Sequence, residues 1–438
     1  MQVSVENVST LERKVTIGIP AKQIESSLAS RINEVSKTAR LDGFRPGKIP
    51  VAVIKKRFGP ALRGEVIEKA IQESIFEVLE QQNIKPAGMP AIESINDKAG
   101  QDVVYVAKVE VYPEIDLVSF AKITIEKRNS VITDVDFETR LEELRNRAKE
   151  WRPVERAAKN GDQVVIDYKG LLDGEAFQGG SANDSPLELG SKSMIPGFEE
   201  GLLGLKAGDK KSLNLKFPDD YHAEKLKGKS VVFEVTVKTV NEAVVAALDD
   251  DFAKKMGVEG GLEEFKKQIR KSMDRELEQA VKGDVKQQVM DELLKLHTVD
   301  VPKAVVAQQI NIMKQQMLQQ FGGAQIDMSI FPDDMFAGKA KENAALSLVL
   351  SKIIDDKALM ATREAIKAYV EKMAADYEDQ AEEIIKYYMN DKRRSAEIEA
   401  VVLEEKLVDL VLSEAKVSEV KLPFNEAIKP RSKADSSR

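Results

Sequence analysis

The sequence predicts a multidomain α+β protein: an N-terminal α+β domain, an inserted antiparallel β domain and a mainly α-helical C-terminal domain. Three observations predict this class. Residues 1–115 mix strand and helix patterns, and residues 161–240 carry short alternating strands separated by turn residues. Between residues 333 and 422 there is no proline, and no glycine follows Gly338. Few sequences have that composition unless they are helical.

The first domain, residues 1–115, is predicted to contain two strands, a helix, a loop, a second helix and a final strand. The predicted strands are 3–8, 11–19 and 103–111, and the predicted helices are 21–40 and 60–82. Two glycines and two prolines fall within residues 41–50 and keep that loop from being helical. We expect the loop to be exposed at one end of the domain.

Residues 116–150 are predicted to be a linker followed by the first helix of the helical domain. Thr133 can cap a helix that runs from Asp134 to about Glu150, because its hydroxyl can accept a hydrogen bond from a free N–H of the first turn. Residues 151–245 are predicted to form the inserted β domain. We therefore expect this helix to pack against helices that follow the insertion.

The β domain has strand patterns at 164–168, 211–217 and 231–240, with turns predicted at 173–174, 179–180 and 208–209. A short helix is predicted after Pro196. Four segments, VVIDYKGLLDGEAF (164–177), MIPGFEEGLLGLKAGD (194–209), FPDDYH (217–222) and VVFEVTV (231–237), resemble FKBP-type peptidyl-prolyl isomerases. The resemblance implies an apolar cup for a proline ring, made by Tyr168, Phe177, Met194, Ile195, Phe198, Tyr221 and Phe233.

Such a cup needs no nucleophile and no acid–base pair, because it lowers the rotation barrier by desolvating the imide and by fitting a twisted geometry. The alternative is that these aromatic residues simply fill a core. Gln178 stands where the classical family has an acid. We expect that difference to weaken binding of the family's macrolide inhibitors more than catalysis.

The helical domain is predicted to cover residues 246–429, with a disordered tail at 430–438. The predicted helices are 262–297, where Gly283 could cause a break, and 302–321, 333–358, 363–375, 381–389 and 391–415. Ten of the thirteen methionines follow residue 250, and such flexible side chains suit surfaces that bind many apolar sequences. The candidate client-binding residues are Met313, Met317, Phe321, Met328, Phe331, Met335 and Phe336. Packing of these side chains in a core is the alternative.

A basic tip lies between residues 37 and 57, where seven Lys or Arg residues accompany one acid, Asp42, in a chain of net charge -8. This charge suits a phosphate-rich partner. Phe44 could insert into that partner. The alternative is that the loop is an ordinary solvated loop and that Phe44 folds back onto the helices of the domain. The string GFRPGKIP (43–50) and the order of the domains resemble trigger factor, a family of bacterial ribosome-associated chaperones.

This second resemblance implies that Gly43, Phe44, Arg45, Pro46, Gly47 and Lys48 dock on a ribosomal protein and nearby rRNA at the exit tunnel. It also implies that nascent and unfolded polypeptides are clients, and that a homodimer can form off the ribosome. Pro46 replaces a basic residue found in some members. We therefore expect Arg45 and Lys48 to make the main charged contacts.

Several classes of protein are excluded or disfavoured. The chain has no cysteine and two histidines, His222 and His297, so thiol catalysis, disulfides and histidine clusters for metals are excluded. His297 is predicted to be a capping or surface residue at a helix end. No phosphate-binding loop is present, and we expect no cofactor and no membrane span. The N-terminus shows no export signal, so a cytoplasmic location is expected.

The sequence therefore predicts an ATP-independent, ribosome-associated chaperone with a prolyl isomerase domain. One alternative is a dedicated isomerase whose helical parts dimerise it or hold a specific client. Another is an RNA-binding protein that uses the basic tip. This alternative is the weakest of the three hypotheses, because the remainder of the chain is acidic.

Overall fold

A computed structural model describes residues 2–41, 44, 49–98, 100–221, 223–224, 226–320, 331–375 and 380–431. The chain separates into two compact units, residues 1–127 with 283–420 and residues 128–282 with 421–438. The strands are β1 Gln2–Asn7, β2 Glu12–Ile19, β3 Ala91–Asn96, β4 Val103–Glu110, β5 Thr124–Asn129, β6 Glu150–Val154, β7 Gln163–Leu172, β8 Glu175–Glu188, β9 Lys210–Lys216, β10 Ser230–Val244 and β11 Lys416–Lys421. The helices are α1 Ala21–Thr38, α2 Val51–Gln81, α3 Asp134–Arg147, α4 Phe198–Leu202, α5 Asp250–Lys255, α6 Gly261–Leu296, α7 Lys303–Gln320, α8 Asp333–Asp356, α9 Arg363–Ala374, α10 Ala381–Met389, α11 Lys392–Glu414 and α12 Phe424–Ala427.

In the first unit, an antiparallel sheet of order β1-β2-β4-β3 packs against α1 and α2. Alternate residues of β2 and β4 are fully buried, among them Val15, Ile17 and Tyr105. This alternation predicted both strands. Strand β3 was not predicted, because every residue of this edge strand is exposed and its sequence carries no buried alternation.

The second helix begins at Val51, and the prediction of a start at Pro60 was wrong. Pro60 lies inside α2. On either side of it, Ile54 and Leu62 are buried against α1 residues such as Ile32. Burial of that apolar face outweighs the cost of proline in a helix interior.

Further clusters of buried residues join later helices of the first unit. Helix α7 packs on α8 through Ile310 and Ala340, and α9 packs with α11 through Val370 and Val402. Helix α6 is uninterrupted at the exposed residue Gly283, so the break considered there does not occur. His297, which follows α6, is only 4% exposed, so of the two alternatives, capping or surface residue, the surface one does not hold.

His297 caps the end of α6, as the other half of that prediction stated. Its Nδ1 lies 2.8 Å from the Leu293 carbonyl oxygen, and its Nε2 accepts the N–H of Val118 at 3.0 Å. Both contacts are satisfied by one neutral tautomer, in which Nδ1 carries the proton.

The second unit contains a five-stranded antiparallel sheet in which β10 pairs with β6, β7 and β9, and β7 also pairs with β8. Gly179 and Gly180 lie within β8, so the turn predicted there was wrong. Helix α3 packs against α5, α6 and α12 through Leu141, Phe252, Phe265 and Phe424. The predicted packing of α3 with the helices after the insertion is confirmed, and Thr133 caps α3 as predicted.

Candidate functional site

Four aromatic rings from four different elements meet in the β domain. Tyr168 comes from β7, Phe177 from β8, Phe198 from α4 and Phe233 from β10. Phe198 and Phe233 contact edge to face with centroids 5.2 Å apart, and Tyr168 contacts them at 5.9 and 6.1 Å. Phe177 contacts Phe233 at 6.1 Å. Edge-to-face pairs of this kind are favourable beyond their area burial, so the rings hold one another in place.

Phe217, which was not predicted as a site residue, connects Tyr221 to this group. Its ring lies 6.0 Å from that of Phe177 and 4.6 Å from that of Tyr221. Phe217 is 3% exposed. The signal was present, because Phe217 is the first residue of the FPDDYH string, but a single sequence does not show that its ring bridges two others.

Burial divides the seven predicted cup residues into two groups, which we name the floor and the wall. The floor residues, Phe198 and Phe233, are 1% and 6% exposed. The wall residues are partly buried and pack on the same cluster: Tyr168, Phe177, Met194, Ile195 and Tyr221. The structure thus brings all seven together, two as core residues and five with part of each side chain at the surface.

Two glycines make room for the Phe177 ring, and the sequence analysis missed their role. A Cβ placed on Gly170 or Gly180 would lie 2.5 Å from a carbon of the Phe177 ring. Contacts that short do not occur, so an alanine at either position would displace the ring. Gly170 follows Tyr168 by two residues in β7, and Gly180 follows Phe177 by three residues in β8. Glycine inside a strand otherwise weakens pairing. The side chain of Gln178 lies outside the described part of the chain.

The carboxylate of Glu199 organises the loop that leads into the wall. It is 6% exposed and accepts hydrogen bonds from the N–H groups of Gly190 (2.7 Å), Lys192 (3.1 Å) and Ser193 (2.9 Å). It also accepts the Met194 N–H at 3.3 Å and the Ser191 hydroxyl at 3.1 Å. Burial raises the pKa of Glu199, and these donors outweigh burial and hold the pKa below its ordinary value.

In the basic tip, Phe44 is 38% exposed, whereas Ile49 is 5% exposed and belongs to the core between α1 and α2. Lys55, Lys56 and Arg57 are exposed on the first turns of α2. The other predicted docking residues lie outside the described part of the chain: Gly43, Arg45, Pro46, Gly47 and Lys48.

The candidate client-binding residues differ in exposure, and some of them lie outside the described part of the chain. Met335 is 66% exposed, and Met313, Met317 and Phe331 are partly buried against the cluster between α7 and α8. Phe336 is 9% exposed and belongs to the core of that cluster, so it does not offer a binding surface in this arrangement. Phe321 and Met328 lie outside the described residues.

Within the described residues, every helix is too short or too polar to span a bilayer. No group of three or more His, Cys, Asp or Glu side chains in the same part of the chain is placed to hold a metal ion.

Comparison with known proteins gives matches along nearly the whole chain. The family described as bacterial trigger factor protein (TF) matches residues 1–144, its C-terminal part matches residues 261–413, and FKBP-type peptidyl-prolyl cis-trans isomerase matches residues 154–238. The trigger factor of Alcanivorax borkumensis is 46% identical over 437 residues, which cover 99% of this chain and 100% of that protein. The trigger factor of Saccharophagus degradans is 44% identical, with 99% of each chain covered.

A solved structure of a trigger factor chaperone has a similar fold. The TM-score is 0.51 at 18% identity, and the match covers 94% of this chain and all of the other. The predicted architecture of three parts, with a central FKBP-type domain of antiparallel strands between an N-terminal domain and a helical C-terminal domain, is confirmed.

Proposed function

The chain belongs to the trigger factor family of ribosome-associated chaperones with an FKBP-type peptidyl-prolyl isomerase domain, and from that premise we propose which of its surfaces perform each task. The isomerase acts at the apolar cup, the tip around Phe44 docks on the ribosome, and apolar side chains of the helical segments hold the client. The observation that carries this proposal is the convergence of the seven cup residues in one partly open cluster.

Catalysis at the cup follows from the electronic structure of the imide bond. Rotation about the bond costs ~18–20 kcal/mol, because the planar form has partial double-bond character. Part of that stabilisation comes from charge separation, which an apolar surrounding disfavours. The rings of Phe198 and Phe233 offer such a surrounding beneath the proline, and the wall residues exclude water from the twisted bond. Rotation makes and breaks no covalent bond, so the cup needs only shape and apolar surface.

Variants of the wall test this assignment better than variants of the floor. Replacing Phe198 would leave a cavity that destabilises the domain by ~3–5 kcal/mol. A loss of activity in that variant could then come from unfolding and not from a change in catalysis. The double variant Met194→Ala, Ile195→Ala removes partly exposed side chains. We expect its kcat/KM on a short proline peptide to fall about tenfold. Val154→Ala removes an apolar side chain from the same core cluster and is the matched control. Unchanged turnover in the double variant would refute the assignment of the cup.

Ribosome docking is assigned to Phe44, Arg45 and Lys48. An aromatic residue that is 38% exposed beside cationic residues suits a partner made of protein and RNA phosphate. We propose that this partner is a ribosomal protein with adjacent rRNA near the exit tunnel. Off the ribosome, the family resemblance favours a homodimer, and it also favours a cytoplasmic location.

Replacing Phe44, Arg45 and Lys48 together with alanine should abolish cosedimentation with ribosomes. Lys98→Ala removes one exposed cation from the same domain and should leave binding unchanged. Binding by the wild-type protein should weaken as salt rises, because released counterions contribute to it. Normal cosedimentation of the triple variant would show that docking occurs elsewhere.

Client binding is assigned to the apolar side chains around α7 and α8, among which Met335 is 66% exposed. An exposed thioether can adapt to many apolar partners. Met335→Ser should therefore reduce the suppression of aggregation of an unfolded test protein. Met89→Ser changes a methionine of the N-terminal domain that is 83% exposed, and it serves as the control. Equal suppression by the two variants would argue against this surface.

A further inference from the structure

The loop from Gly190 to Met194 has an unusual backbone conformation. Gly190 has φ 95° and Lys192 has φ 57°. For Lys192, a residue with a Cβ, the left-handed region costs about 1 kcal/mol or more. The loop must therefore be held by contacts outside its own backbone.

Glu199 supplies those contacts, and its two oxygens have separate tasks. Oε2 accepts the N–H groups of Gly190 and Lys192, which lie on either side of Ser191. Oε1 accepts the N–H groups of Ser193 and Met194 and the Ser191 hydroxyl. All five partners donate hydrogen bonds. A fully ionised carboxylate satisfies all of them, since both of its oxygens accept and neither carries a proton.

The position of Glu199 connects this loop to the cup. Glu199 follows Phe198, the most buried of the cup residues, in the short helix α4. The loop that it holds continues directly into Met194 and Ile195, which belong to the wall. One carboxylate thus fixes Met194, at the start of this part of the wall, relative to Phe198.

We propose that Glu199 is a positioning residue of the prolyl isomerase, which sets Met194 and Ile195 at the cup through the Gly190–Met194 loop without contacting the substrate. This inference rests on the proposed location of the cup. Five hydrogen-bond donors converge on a single acceptor group, the Glu199 carboxylate. A neutral side chain of the same shape cannot replace that group.

Glu199→Gln is the sharpest substitution, because it keeps the size of the side chain and changes one acceptor oxygen into an NH2 donor. That NH2 must face N–H donors whichever way the amide is turned. We expect kcat/KM of the full-length protein on a short proline peptide to fall about tenfold, since small displacements of positioning groups have large effects on rate. Suppression of aggregation should not change.

Glu200→Gln is the matched control. The neighbouring carboxylate is exposed and accepts the Gly197 N–H at 3.0 Å, but it does not bond to the Gly190–Met194 loop. Its kcat/KM should stay within about twofold of the wild-type value, because one exposed hydrogen bond contributes little. An equal loss in both variants would overturn the specific role of Glu199.

Lys192→Gly tests whether Glu199 acts through the strained loop. Glycine adopts the left-handed conformation without strain, so the loop needs less support from Glu199. Adding Lys192→Gly to Glu199→Gln should restore several-fold of the lost kcat/KM. Failure of the rescue would overturn the inference. Should Glu199→Gln not fold, Glu199→Asp keeps the charge but is too short to bridge both halves of the loop, and it should show the same loss and the same rescue.

The wall variant separates failure of this inference from failure of the cup. If Met194→Ala, Ile195→Ala lowers kcat/KM and Glu199→Gln leaves it at the wild-type value, the cup stands and the positioning role is refuted. If Met194→Ala, Ile195→Ala does not change kcat/KM, the proposed location of the cup is wrong and the proposed role of Glu199 is refuted with it.

Discussion

The Asp162 carboxylate is a buried charge in the β domain, with a side chain only 2% exposed. Its two oxygens lie 2.5 and 2.9 Å from the Arg156 guanidinium, and one of them also accepts the Lys159 N–H at 3.0 Å. The Arg156 hydrogen bonds lower the pKa of Asp162, and they outweigh the opposing effect of its burial. The carboxylate is therefore stabilised in its charged form.

Asp162→Asn should destabilise the domain by about 2 kcal/mol at pH 7. Breaking a fully buried ion pair costs ~3–5 kcal/mol, and Arg156 is 35% exposed, so part of that cost is screened. Because the folded pKa lies below the unfolded value of about 3.9, the contribution of Asp162 is complete above that pH. It is lost as the pH falls through the folded pKa.

Urea titrations at pH 7 and at progressively lower pH would measure this difference, which should shrink in acid. Asp219→Asn changes a carboxylate that is 87% exposed and lies 3.6 Å from Lys216, and it should have almost no effect. A difference between wild type and Asp162→Asn that does not change with pH would contradict this account.

Thr133 illustrates how a helix end can be predicted from local sequence. Its hydroxyl accepts the Asp136 N–H at 3.2 Å, and the Asp136 carboxylate accepts the Thr133 N–H at 3.0 Å. This reciprocal box satisfies two N–H groups that the helix itself leaves free. Thr133→Ala should cost about 1 kcal/mol of stability in urea unfolding, and Thr133→Ser should cost much less. Equal losses in the two variants would show that the methyl group matters more than the cap.

Helix α2 shows the opposite case, in which tertiary packing overrides local sequence. Pro60 removes one helical hydrogen bond, yet the helix continues through it because Ile54 and Leu62 are buried against α1. Pro60→Ala should therefore raise the local stability of residues 51–60 by about 1–2 kcal/mol, less than the full proline penalty because the unfolded chain also gains freedom. Amide hydrogen exchange would show slower exchange in this segment. Unchanged or faster exchange would mean that the helix already accommodates the ring without cost.

The contrast between local sequence signals and tertiary packing explains which parts of the fold were predicted. Strands with one buried face, such as β2 and β4, were found from their alternation, whereas the exposed β3 and β11 carry no such signal. β8 was missed because its Gly179-Gly180 pair is typical of a turn. Those glycines are explained by the aromatic ring beside them, which is a contact between distant residues.

The candidate site also contains residues that could be predicted from the sequence and residues that could not. Seven apolar residues could be assigned to a cup because family strings contain them, and the structure brings all seven together. Glu199 was not found, because its partners are backbone N–H groups of a loop whose conformation no residue pattern reveals. Sequence thus indicates what chemistry a site contains more readily than it indicates what holds that site in shape.

Within the second unit, the β domain is inserted so that the chain leaves and returns at adjacent points. Glu150 of β6 and Val244 of β10 are direct partners in the sheet, so their Cα atoms lie about 5 Å apart. On the helical side, Arg145 donates to the Ala246 carbonyl at 2.7 Å, and Lys255 donates to the Glu150 carboxylate at 2.7 Å. The core of α3, α5 and α6 is a separate cluster from that of the β domain.

Deleting residues 151–243 and joining Glu150 to Val244 through two glycines should therefore leave the helical core folded. We expect the shortened chain to lose isomerase activity on a short proline peptide, to keep cosedimenting with ribosomes, and to keep suppressing aggregation. The full-length double variant Met194→Ala, Ile195→Ala is the control for loss of turnover without loss of the domain. A shortened chain that folds by circular dichroism but no longer suppresses aggregation would favour the alternative, a dedicated isomerase whose helices only support it.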